Sequence, residues 1–158
     1  MHTRVIKPKH GPTILVRPLR HGDVRTVMAV FERLGDQSRR ARFNGPKPCL
    51  SVDDLRKLAT IDSSHHALVA YVEGDPQPVA IARLVRNDHD SAEIAFAVAD
   101  TYQHRGIGSA LAAELLCDAR AAGIAEITAL ASSDNPAALA LLRRTAKVLD
   151  VSPSAPRS

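Results

Sequence analysis

Short runs of alternating apolar and polar residues recur along this chain, separated by segments in which the apolar positions return at helical spacing. Thr13–Leu19 alternates as a first strand, and His21-Gly22-Asp23 turns the chain. Asp23 then caps a helix running to about Leu34 that buries Val27, Val30, Phe31 and Leu34. Gly35–Leu50 is rich in Arg, Gly and Pro and reads as irregular. Ser51 followed by Asp53-Asp54 opens a second helix, because acidic residues favour the positive end of the helix dipole. Its expected inward face is Val52, Leu55, Leu58 and Ala59.

Three strands follow, His66–Glu73, Pro78–Arg86 and Ala92–Ala99, joined through Gly74-Asp75 and Asn87-Asp88. Such short connections imply an antiparallel meander. Ser109–Ala122 carries the clearest helical stripe: Leu111, Ala112, Leu115, Leu116, Ala119 and Ala122 on one face, Glu114 and Asp118 away from it. Gly123 closes it. Ile124–Ala131 reads as a buried strand, Pro136–Thr145 as a short helix capped from Asp134 or Asn135, and Lys147–Val151 as a last strand. The strand–helix–strand unit over Ala92–Ala131 needs a parallel crossover. The expected class is α+β: a mixed, mostly antiparallel sheet with helices on both faces and one parallel crossover. It occupies Thr13–Val151 as a single domain, with Met1–Pro12 as a flexible leader and Ser152–Ser158 as a disordered tail.

Composition narrows the chemistry. The chain has 158 residues and a formal net charge of +4, which suits an anionic ligand and suits a solvated basic surface equally. Tryptophan is absent and aromatics are 3% of the chain, so an aromatic cage or a base-stacking platform is not the main binding device. No basic stripe with interleaved aromatics argues for nucleic acid. Cys49 and Cys117 have no CxxC partner and no metal-ligand spacing, which points to a reduced compartment. His65-His66 and His89 show no ligand spacing either, and no metal is expected. Met1–Pro12 is polar and basic, unlike a signal peptide, and no apolar run approaches a membrane span. The expected location is cytoplasmic.

The segment Gln103-His104-Arg105-Gly106-Ile107-Gly108-Ser109 lies between a strand end and a helix start. Without Cβ atoms, Gly106 and Gly108 let the backbone turn tightly and expose successive N–H groups to an anion, with the helix dipole behind them. A bare GxG is also simply a tight strand-to-helix turn. Gly-Lys-Ser/Thr after four spacers is missing, which excludes a Walker A loop. The dinucleotide fingerprint wants Gly or Ala where Leu111 stands. A third pattern fits without a gap: Gln/Arg-x-x-Gly-x-Gly/Ala after a strand ending in Val-x-Asp, here Val98-Ala99-Asp100-Thr101-Tyr102-Gln103 to Gly108.

With that motif and the order of elements, the chain resembles the GNAT superfamily of N-acetyltransferases from about Thr13 to Asp150. The resemblance implies that Gln103, His104, Arg105, Gly106, Ile107, Gly108 and Ser109 hold the pyrophosphate of acetyl-CoA. It also implies that Val98 and Ala99 hold the pantetheine arm by main-chain bonds, and that Asn135, which caps the last helix equally well, touches the same arm. The segment Arg42-Phe43-Asn44-Gly45-Pro46-Lys47-Pro48, with Leu50-Ser51 and Ala67-Leu68-Val69-Ala70, is similar to the acetyltransferase domain of bacterial Pat-type protein lysine acetyltransferases. The implied partners are acetyl-CoA and an amine acceptor, a protein lysine first and a small amine or amino acid second. A non-catalytic acyl-CoA-binding module is the reading from another class.

Acetyl transfer needs a base, because a lysine amine, with a pKa of about 10.4, arrives protonated. Glu93 is the candidate, on the strand that leads to the loop and on the face of Ala95 and Ala97. Ala92-Glu93-Ile94-Ala95-Phe96 also resembles the strand carrying the catalytic glutamate of protein lysine acetyltransferases. The competing reading of Glu93 is a solvent-exposed acid at a strand start. Two departures from the family stand out. Leu142 occupies the place of a thiolate-protonating tyrosine, and the final hairpin region is short, which raises a homodimer formed by strand addition. The acceptor cleft is expected between the first two helices and the Glu93 strand, with Ser38–Phe43 as a basic rim.

Overall fold

Alternation is realised as a single sheet in the computed structural model of the chain, which describes residues 3–7, 11–34, 51–88, 90–102, 106–130 and 147–150. The strands are β1 (Arg4–Ile6), β2 (Ile14–Pro18), β3 (His65–Val72), β4 (Ala80–Arg86), β5 (Ser91–Val98), β6 (Glu126–Leu130) and β7 (Lys147–Asp150). Three helices accompany them: α1 (Val24–Glu32), α2 (Val52–Leu58) and α3 (Ile107–Ala121). The expected helix at Pro136–Thr145 lies outside the described residues, as do the rim Ser38–Phe43, the tail Ser152–Ser158, and Cys49, Asn135 and Leu142.

Strand order follows chain order from β1 to β7. The pairs from β1 to β5 are antiparallel, and β5 pairs with β6 in parallel across the α3 crossover. β6 and β7 also pair in parallel, with a register shift between Ile127 and Thr128. Only one parallel step was expected. The second arises because the chain between β6 and β7, residues 131–146, is long enough to cross the sheet instead of turning back as a hairpin.

Two more expectations need correction. Arg4–Ile6 is a paired edge strand and not part of a loose leader: Arg4 lies opposite Val16 and Ile6 opposite Ile14. Three residues are too few to show alternation in the sequence, yet Ile6 packs on the core and Arg4 reaches α3. Val52 is 63% exposed instead of inward. It is the first residue of α2, where the Cα–Cβ bond tilts toward the N-terminus and carries the side chain off the end of the helix.

The caps are those the sequence implies. Asp23 accepts a bond from the Thr26 N–H, and Ser51 with Asp54 forms a reciprocal capping box. Gly123, at φ +83°, follows α3 in the left-handed conformation that ends helices.

The sheet has a core on each face. On one, α3 lays Leu111, Leu115, Leu116 and Ala119 over Ile14, Val16, Leu68, Ala70, Ala82, Ile94 and Ile127. On the other, Val27, Val30 and Phe31 of α1 and Leu58 of α2 cover Ala67, Val69, Ile81 and Ala97. Full burial of one such Leu, Ile or Phe side chain is worth about 1.5–3 kcal/mol. β5 lies between the two layers, with Ile94 facing α3 and Ala97 facing α1 and α2. No helix among the described residues is long and apolar enough to cross a membrane.

Candidate active site

β5 runs out of the sheet into a single 3₁₀ turn, Asp100–Tyr102, and the chain enters α3 at Gly106. Gly106 sits at φ +82°, a conformation that costs any residue with a Cβ, and no side chain caps the helix behind it. The first rung of α3 is the Ala110 N–H bonded to the Gly106 carbonyl at 3.0 Å. The N–H groups of Ile107, Gly108 and Ser109 precede that rung and point out of the helix end, a ready site for phosphate oxygens. Helix α3 therefore starts two residues earlier than expected, and Ile107 and Gly108 are buried within its first turn. Gln103, His104 and Arg105 lie outside the described residues.

The described ladder between β5 and β6 ends at Ala95 opposite Leu130. Phe96–Ala99 runs on past it toward the helix. The Ala99 N–H is committed to the Val79 carbonyl at 2.8 Å, and the Ala99 carbonyl accepts from the Tyr102 N–H at 2.8 Å. Main-chain groups alternate along a strand, so those of Val98 and Phe96 turn to the edge away from β4. Of the two residues expected to hold an extended arm, Val98 turns its main chain to the edge away from β4. Ala99 turns its N–H the other way.

A group the sequence did not single out anchors this corner. Asp75, in the turn after β3, accepts from Arg33 Nη2 at 2.8 Å and from the Tyr102 hydroxyl at 2.8 Å. The Arg33 guanidinium lies over the Tyr102 ring, 5.3 Å from its centroid. The end of α1, the β3–β4 turn and the 3₁₀ turn are thereby tied together. The Arg33 guanidinium, then the Gln77 N–H, then the Tyr102 hydroxyl hold the Asp75 carboxyl down at about 2, against 3.8 unperturbed. A carboxyl depressed on folding stabilises above its unfolded pKa and loses that contribution as pH falls through the folded one. Asp75→Asn is therefore expected to lower the thermal midpoint by a few degrees at pH 7. The gap to wild type should close between pH 4 and pH 2, as followed by circular dichroism.

Behind the helix, Asp118 of α3 receives Arg4 Nη2 at 2.9 Å and lies 2.8 Å from His66 Nε2, while Glu114 receives Arg4 Nη1 at 3.3 Å. The two acids expected to lie away from the apolar stripe thus fasten α3 to β1 and β3. His65 Nδ1 lies 2.8 Å from Asp62. Among the described residues no group of three His, Cys, Asp or Glu gathers as metal ligands, and Cys117 is exposed.

On the face away from α3, Val85, Glu93 and Thr128 form a row across β4, β5 and β6, all half-buried. The next residues of β5 on that face, Ala95 and Ala97, are small and buried. Among the described residues the Glu93 carboxylate has no hydrogen-bond or ion-pair partner. At about 3.3 Å per residue, Glu93 stands roughly 17 Å along β5 from Val98. A ligand whose phosphates rest at Gly106 therefore needs an extended arm to bring a reacting carbon to the acid.

The site thus joins a helix end whose first N–H groups point outward to a half-buried acid on the strand that feeds it, without a partner among the described residues. Residues 31–146 match the profile of the acetyltransferase (GNAT) family. The chain belongs to that family and has the GNAT fold.

It is similar to Acetyltransferase Pat of Mycolicibacterium smegmatis, with 32% identity over 147 residues, covering 90% of this chain and 44% of Pat. The chain thus spans less than half the length of that relative. Acetyltransferase PA5475 of Pseudomonas aeruginosa is 31% identical over 131 residues, covering 80% of this chain and 70% of the relative. Among solved structures, the GNAT domain of S. lividans PAT superposes with a TM-score of 0.78 at 27% identity, covering 90% of this chain and 86% of that one.

Proposed function

We propose that this chain transfers the acetyl group of acetyl-CoA to a protein lysine by direct attack in a ternary complex, with Glu93 as the base. The observation that carries the reading is the Glu93 carboxylate: half-buried, without a partner among the described residues, and on the strand that feeds the helix end at Gly106. Glu93 takes a proton from the incoming ammonium. The amine nitrogen then forms its bond to the thioester carbonyl carbon, the C–S bond breaks, and sulfur leaves as a thiolate that is protonated from water. Gln103–Ser109 cradle the pyrophosphate, the main chain at Val98 steadies the arm, and Asn135 touches the same arm. Support for lysine comes from the likeness of Arg42–Pro48 and Ala92–Phe96 to Pat-type protein lysine acetyltransferases, and from similarity to the Mycolicibacterium Pat over 90% of this chain.

Calorimetric titration with CoA, followed by thiol release from acetyl-CoA over lysine-bearing proteins and small amines, tests the reading. Saturable CoA binding with turnover on proteins is the expected result. Turnover confined to small amines would replace the lysine assignment. CoA binding with no turnover on any amine would favour a binding module, and no CoA binding would overturn the proposal.

A further inference from the structure

Arg83 lies on β4 opposite Ala95, on the Glu93 face of the sheet. Its guanidinium is largely withdrawn from water, with no acid beside it among the described residues. Among the described residues its one bond runs from Nη2 to the Lys57 carbonyl, 3.2 Å away in the last turn of α2, while Nε is buried without a partner there. Burial lowers its pKa, and no neighbouring carboxylate acts against that shift. Arg4, Arg17 and Arg33 each meet a carboxylate within 4 Å. Arg83 meets none among the described residues.

Removing a guanidinium from water without a counter-charge is unfavourable, and one helix carbonyl offsets only part of the loss. Glu93 is its diagonal neighbour, since the pair Val85–Glu93 adjoins the pair Arg83–Ala95. Diagonal positions are about 7–8 Å apart, and no ion pair joins these two. Among the described residues, a cation lacking an anion and an anion lacking a cation thus share one half-buried patch between α2 and the sheet. A molecule with an amine at Glu93 and a carboxylate a few bonds away satisfies both. The planar fork of arginine suits a carboxylate bound through two parallel hydrogen bonds.

We propose that Arg83 is a specificity-determining residue of the acceptor site that binds a carboxylate on the acceptor close to the amine being acetylated. The inference rests on the reading of Glu93 as the base. The carboxylate belongs either to an acidic residue flanking a protein lysine or to a free amino acid.

Matched acceptor pairs test the proposal and separate those sources: lysine peptides with flanking Glu or Gln, and amino acids with their amides. Each pair is read by kcat and KM and by calorimetric binding to the CoA complex, so the result does not depend on turnover alone. Wild type should favour the acid member about ten- to a hundredfold, mainly through KM or Kd, as expected for a charge-assisted bond. Arg83→Gln should bring that ratio to near one by weakening the acid member more than the neutral one, and Arg83→Lys should restore part of it.

Glu93→Gln should lower kcat on both members and leave the ratio intact. If Glu93→Gln changes nothing while Arg83→Gln removes the preference, the base assignment fails and the carboxylate site stands. No acid preference in wild type overturns the proposal. So does an unchanged ratio in Arg83→Gln with only a lower thermal midpoint, which would make Arg83 a cap on α2. Should Arg83→Gln not fold, a ratio in Arg83→Lys equal to wild type decides against the proposal.

Discussion

Glu93→Gln is expected to lower amine-dependent thiol release from acetyl-CoA by about 10²–10⁴-fold, the usual span for losing a general base. Glutamine keeps the shape of the side chain and removes its ability to hold a proton. The half-buried row of Val85, Glu93 and Thr128 should accommodate it without repacking. CoA affinity should stay within a factor of two, because the carboxylate stands about 17 Å of strand from Val98. The loss should fall on kcat and kcat/KM together, as for a group that acts in the transition state. It should also shrink at high pH, where more of the acceptor amine is already deprotonated. Equal rates for variant and wild type across pH 7–10 would move the base elsewhere.

The second large effect is at the helix entrance. Gly106→Val places a β-branched residue at φ +82°. The backbone cost is about 1–3 kcal/mol, and relieving it turns the first N–H groups of α3 away from their common focus. CoA affinity should fall about ten- to a hundredfold by calorimetry, the equivalent of one or two charge-assisted hydrogen bonds. Gly106→Ala should lie between, because alanine tolerates the left-handed region at a smaller cost. CoA affinity in Gly106→Val equal to wild type would show that the anion does not depend on this helix end.

What the sequence discloses follows from how local the cause is. Gly106 and Gly123 are legible because the positions they hold demand positive φ, a requirement of a single residue. The face of Glu93 is legible because β5 alternates over eight residues between two layers. Asp75 reads only as a turn residue, since the arginine that fixes its ionisation is 42 positions earlier and its tyrosine 27 positions later. Arg83 reads as an ordinary polar position in a strand, because nothing local reveals that its Nε is shut off from water. The pairing of β1, and the parallel approach of β7, come from partners elsewhere in the sheet, and strands of three and four residues carry too little alternation to announce them.

The placement of the acid on β5 has a consequence for donor choice. At Glu93 the strand is hydrogen-bonded to β4 on one side and β6 on the other, so its length does not stretch with the ligand. A donor anchored by its phosphates at the helix end then has its reacting carbon set by a fixed span, with less positional error than a loop would allow. β5 acts as a ruler. A longer acyl chain would have to run beyond that mark.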